Sequence, residues 1–233
     1  MFNQKPMLGQ LPDWTRFPQP AALYVMNEGT GSIINDLSGN SNTGTLTGSP
    51  VWFGEYITAN GDTLATLAKP QTLVVGTIVF IANNANGSVC GNKDIISAQD
   101  YIWPRQNSHL RIRDHVGGDA QLAITDFTGV HHYAVSWDGT NARGYKDGIL
   151  KDTKVLAGSF QLHHLFAGYN GEDWDFIGGL KSLIPFDFVL SAQQIKQLHI
   201  DPFPWFRREP AMDLWTPPED GGIVVLRRRR ECA

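Results

Sequence analysis

Charged residues are scarce in this sequence: only 18% of its 233 positions are Asp, Glu, Lys or Arg, and the net charge is −4. A field that weak does not draw nucleic acid or an anionic membrane to the whole body, so neither is expected as a partner except through a local patch. Cysteine is nearly absent as well. Cys90 and Cys232 stand far apart, one at the C-terminal end, which excludes the disulfide framework of a small secreted domain and makes a reducing compartment the simpler expectation. No apolar run reaches the length that spans a bilayer, and residues 1–10 lack the continuous apolar stretch of a secretory signal. Also missing are a serine nucleophile elbow, a glycine-rich phosphate loop and a paired Cys/His zinc spacing. The chain is therefore expected not to be an enzyme.

What is present is turn chemistry and apolar bulk. There are 24 Gly and 13 Pro, 42% of residues are hydrophobic and 11% are aromatic, a balance that suits many short strands around a wide core. Residues 71–82 are apolar on both alternating faces and predict a central strand covered on each side. In residues 130–137, His131, Tyr133, Val135 and Trp137 alternate with His132, Ala134 and Ser136, predicting a strand with one inward face. Asp138-Gly139 and Asp147-Gly148 mark tight reversals on either side of residues 141–146, and Asn60-Gly61, Asn86-Gly87 and Asn170-Gly171 add further turns. Ser191 with Gln194 three residues on predicts the capped start of one short helix that buries Ile195 and Leu198 and stops at Asp201-Pro202. Residues 1–20 and 204–233, rich in proline and without hydrophobic period, read as extended arms flanking a body at 21–203. The expected fold is all-β: a jelly-roll β-sandwich of two antiparallel sheets with one short C-terminal helix.

Three segments carry a resemblance. Tyr24-Val-Met-Asn-Glu-Gly-Thr-Gly leads to Asp36-Leu-Ser-Gly-Asn-Ser-Asn-Thr-Gly. His132-Tyr-Ala-Val-Ser-Trp-Asp-Gly precedes Gly144-Tyr-Lys-Asp-Gly. Phe176-Ile-Gly-Gly-Leu-Lys-Ser-Leu-Ile precedes Leu190-Ser-Ala-Gln-Gln-Ile. In this order they resemble the opening strands and loop, the central hairpin, and the closing strand and helix of the laminin-G-like, concanavalin A-type family, over residues 21–200. That family includes sugar binders, adhesion modules and structural domains, some of them phage-encoded, so function has to come from surfaces and tails.

Several groupings are candidates for chemistry. Asp36, Asn40 and Asn42, with Glu28 nearby, offer the hard oxygens that Ca²⁺ prefers, although the same residues suit Asx turns. The resemblance implies an ion near this loop, but where relatives add an acidic residue on the closing strand this chain has Lys181. No cofactor is required by the reading; Ca²⁺ is the one that would fit. Trp103 and Trp174 lie in segments read as rim loops, where aromatic faces stack on sugar rings. Glu172, Asp173 and Asp175 form an acidic cluster, but in a turn rather than along a strand, where paired carboxylates would serve glycoside hydrolysis. The doublets His131-His132 and His163-His164 cannot each hold one ion, because adjacent strand residues point to opposite faces.

The C-terminal arm ends in apolar Ile223, Val224, Val225 and Leu226, followed by Arg227, Arg228, Arg229 and Arg230. An exposed apolar strand next to a charge run is suited to strand addition on a partner. The leading expectation is therefore a non-catalytic structural or assembly protein of a phage particle, a capsid decoration, fibre or tail-associated subunit, assembled in the host cytoplasm and bound through its arms to other virion proteins or to copies of itself. The alternative is a carbohydrate-binding or adhesion module that holds a surface glycan with its rim loops, with or without Ca²⁺.

Overall fold

The structure is a computed structural model and describes residues 12–54, 56–92, 99–114, 116, 118–167 and 176–206. Among the described residues the chain forms two eight-stranded antiparallel sheets. The first runs β14 (Ile149–Val155), β13 (Asn141–Lys146), β12 (Val130–Trp137), β7 (Gly76–Asn86), β16 (Ile177–Phe186), β5 (Tyr56–Asn60) and β4 (Val51–Phe53), with β1 (Tyr24–Val25) paired to the far half of β16. The second runs β11 (Asp119–Leu122), β10 (His109–Arg113), β9 (Asp100–Arg105), β8 (Cys90–Asn92), β15 (Phe160–Leu165), β6 (Leu64–Leu73), β3 (Gly44–Thr47) and β2 (Ile33–Ile34). One helix, α1 (Ala192–Ile200), and a 3₁₀ turn at Pro204–Phe206 follow.

Alternation decides what each strand buries. Tyr133, Val135 and Trp137 of β12 join Phe80 of β7, Ile102 of β9, Leu110 and Ile112 of β10, and Phe160 of β15 in the core between the sheets. Sequence predicts one inward face for residues 130–137, yet both faces are buried. The reason is a second apolar layer on the outside of the first sheet, where Val79, Ala134, Tyr145, Ile184 and Phe186 pack under Ile195 and Leu198 of α1. The helix begins as its capping box predicts: Ser191 Oγ accepts the Gln194 N–H, and the Gln194 side chain accepts the Ser191 N–H.

Residues 12–20 and 204–206, read from sequence as parts of arms, belong to this second layer. Phe17 and Trp205 are buried in it, the Trp205 indole donates to the Phe17 carbonyl at 2.9 Å, and Trp14 lies 5.7 Å from the Trp205 ring. The divisions at 20/21 and 203/204 do not coincide with a break in packing.

The single strand predicted for residues 71–82 is two. The chain reverses at Val74 and Val75, Val74 stands 67% exposed, and the halves enter different sheets as the end of β6 and the start of β7. Gly76 makes the re-entry possible, since a Cβ there would come within 2.8 Å of both the Phe186 carbonyl oxygen and the Trp137 ring.

Candidate functional site

The two outer faces of the sandwich differ. Much of the first sheet's outer face is sealed by α1 and the segments around Phe17 and Trp205. The second sheet's outer face carries polar and aromatic side chains at strands β9 to β11. Leu110 and Ile112 point into the core, so His109, Arg111 and Arg113 point outward; Ile102 points in, so Tyr101 and Trp103 point out.

Register aligns these residues in cross-strand rows. Asp119, Arg113, Tyr101, Gly91, His164 and Thr66 stand opposite one another in sequence of strands from β11 to β6. The next row holds Gln121, Arg111 and Trp103, and the third pairs His109 with Arg105. The β9–β10 reversal that sets this register passes through Asn107 at φ +59°, with the Ser108 N–H donating to the Arg105 carbonyl at 3.0 Å.

Within the rows the side chains are braced. Arg111 grips Asp119 with both ends of its fork, Nε to Oδ1 at 2.8 Å and a terminal nitrogen to Oδ2 at 2.6 Å. Those hydrogen bonds hold the Asp119 carboxyl below the usual carboxylate range. The Arg111 guanidinium also lies 5.4 Å from the centre of the Tyr101 ring, and that of Arg105 lies 5.3 Å from the centre of the Trp103 ring. Burial, outweighing the nearby arginines, raises the Tyr101 hydroxyl pKa. Burial first, then Arg105 and Arg111, lowers that of His109, whose Nδ1 contacts Ser108 Oγ at 2.6 Å. The result is a rigid aromatic floor beneath a lid of guanidinium groups.

The sequence candidates are placed differently. Trp103 sits inside β9 rather than in a rim loop, only 7% exposed and capped by Arg105. Trp174, the acidic Glu172, Asp173 and Asp175, and the arm residues 223–230 lie outside the described residues. Asp36 acts as a loop staple: Oδ1 accepts the N–H groups of Leu23 and Ser38 and Oδ2 that of Asn42, each at 2.9 Å. Asn42 Oδ1 accepts the Lys69 N–H at 2.7 Å, and Asn40 donates to the Ala21 carbonyl at 3.0 Å while its own carbonyl accepts from Lys69 Nζ. The Asx-turn reading describes this loop. His131 Nδ1 meets Asp147 Oδ2 at 2.7 Å, whereas His132 points the other way, buried beneath α1 with its ring 5.5 Å from that of His199. Among the described residues no three His, Cys, Asp or Glu side chains gather in a way that could hold a metal ion.

The fold defines a class: an all-β jelly-roll sandwich of two antiparallel sheets. No family model matches the chain, and no curated protein matches it. Solved structures do. Domain 4 of AbnA, a GH43 extracellular arabinanase from Geobacillus stearothermophilus, in complex with arabinotriose, is similar at a TM-score of 0.59 and 19% identity, over 78% of this chain and 98% of that one. The sialidase of Trypanosoma rangeli in complex with sialic acid is similar at 0.58 and 10% identity, over 78% of this chain but 32% of the sialidase. The receptor binding domain of botulinum neurotoxin type G follows at 0.55 and 12% identity, over 78% and 51%. At such identities the likeness is one of fold. It corrects the expectation of a chain without catalytic activity: the same sandwich occurs in an arabinanase and a sialidase, so it gives no ground for setting this chain apart from enzymes.

Proposed function

We propose that the chain is a carbohydrate-binding domain of the laminin-G-like, concanavalin A-type kind, holding saccharide on the outer face of its second sheet around Arg105, His109, Arg111, Arg113 and Asp119. One observation carries the reading. While helix and terminal segments seal much of one outer face, the other presents a register-aligned array of fork donors, groups that bind neighbouring oxygen atoms of a saccharide in pairs. Braced by ion pair and ring contact, they lose little freedom on binding. The arabinanase domain of matching extent, in complex with arabinotriose, lends support by analogy of fold. The virion-assembly expectation gains nothing comparable: none of these three neighbours is a virion protein, and its arm residues lie outside the described residues.

A glycan array probed with the full chain, with and without EDTA, tests the reading. We expect selective saccharide binding that survives the chelator, because the oxygens of Asp36 and Asn42 are already committed to backbone N–H groups. An array blank under both conditions would remove the reading, and binding abolished by EDTA would restore the ion.

A further inference from the structure

We infer that the saccharide held on this face is anionic, an extended chain whose carboxylate or sulfate groups are bound by Arg105 and Arg113. The inference rests on the reading of this face as a saccharide site and names its substrate class.

Charge balance is the first support. Among the described residues, three guanidinium groups, Arg105, Arg111 and Arg113, stand in the cross-strand rows of β9 to β11 with one carboxylate, that of Asp119. Asp119 spends both oxygens on Arg111. Arg105 and Arg113 have no carboxylate within salt-bridge distance among the described residues. This local surplus stands against a chain whose net charge is −4, so it is a patch and not a whole-body field.

Ring geometry decides between a neutral and an anionic ligand. Neutral sugars are held largely by stacking their apolar face on an exposed aromatic ring. Here Trp103 is 7% exposed and Tyr101 is 2% exposed, and each faces a guanidinium at about the stacking distance. The rings fix the arginines and leave no platform of their own. The same burial disfavours single-stranded nucleic acid, which needs open aromatic faces for its bases.

Spacing sets the ligand's extent. Arg105 stands opposite His109, four residues along β10 from Arg113, a separation of about 13 Å at strand rise. Two cationic points that far apart, with Arg111 between them, fit charges repeated along a chain better than a single sugar ring. His109, held to Ser108 beside Arg105, adds a hydrogen-bonding group at one end.

Titration calorimetry of the full chain at low and moderate salt tests this, with polygalacturonate oligosaccharides for the carboxylate source, heparin oligosaccharides for the sulfate source, neutral arabino-oligosaccharides and single-stranded DNA. We expect one anionic saccharide to bind at least about tenfold tighter than the neutral one and than DNA, with affinity falling as salt rises. Arg105→Gln and Arg113→Gln should each weaken it about tenfold while the chain still melts in one cooperative transition well above the assay temperature, and Arg113→Lys should retain part of the affinity. Neutral binding of equal strength, unaffected by these variants, overturns the anionic inference and leaves the carbohydrate reading standing. DNA binding of equal strength overturns it in favour of a general polyanion surface. No binding of any saccharide overturns both.

Discussion

His132 shows what a single buried side chain does to the energetics. It is fully buried, with neither ring nitrogen hydrogen-bonded among the described residues, and burial, with the nearby His199 on α1 adding to it, pulls its pKa down from 6.5 to about 3. Asp147, in the β13–β14 turn, opposes the shift without cancelling it. The unfolded chain therefore binds a proton that the folded chain refuses between about pH 6.5 and 3. Stability from this site is complete above the unfolded value and is lost as pH falls through that window, by up to about 1.4 kcal/mol per unit. Urea titrations at several pH values check it: His132→Leu should flatten the slope without loss at pH 7, since it removes two orphaned polar atoms, and an unchanged slope would contradict the assignment. Residues of this kind were partly legible in the sequence. Opposite faces for His131 and His132 follow from strand geometry alone, but the burial of His132 depends on α1, which is 60 residues downstream in the chain. Trp103 differs from its sequence reading for a similar reason: Arg105 caps it from two residues along the same strand, but Arg111 is set opposite it by a strand register that no local pattern reveals.

Among the elements, the reversals marked by an Asp-Gly pair were readable and the one at Val74 and Val75 was not. Asp147 at φ +53° and Gly148 at φ +73° form the two-residue reversal between β13 and β14 that the Asp-Gly pair predicts. At Gly148 a Cβ would also meet the Lys196 Cα and the His199 Cβ at 3.1 Å. Gly148→Ala is expected to cost about 1–2 kcal/mol in chemical denaturation, and a variant as stable as wild type would show that the turn and the helix above it yield freely. By contrast, the bend at Val74 and Val75 is made of β-branched residues that favour strands, so an apolar run across it reads as continuous. The candidate face had a signal that went unread: His109-Leu-Arg-Ile-Arg113 alternates polar and apolar, which is the mark of a strand with one face in the core and one outside.

For the molecule as a whole, the asymmetry between its two outer faces organises both stability and function. The layer over the first sheet is tied to residues at both ends of the described chain, through Phe17, Trp205 and Phe186. Trp205→Ala, which empties a fully buried site and orphans the Phe17 carbonyl, should destabilise by about 3–5 kcal/mol, read as a lowered melting temperature; saccharide affinity should hold below the transition, and a coupled loss of binding would place the site on this side. The second sheet is left with its polar outer face, and the central claim is that saccharide lies there. Hydrogen exchange with and without the saccharide selected on the array tests it most directly. Added protection at residues 99–113 and 119–122, with α1 unchanged, is the predicted result; protection confined to α1 or to the loop at 36–42 would contradict it.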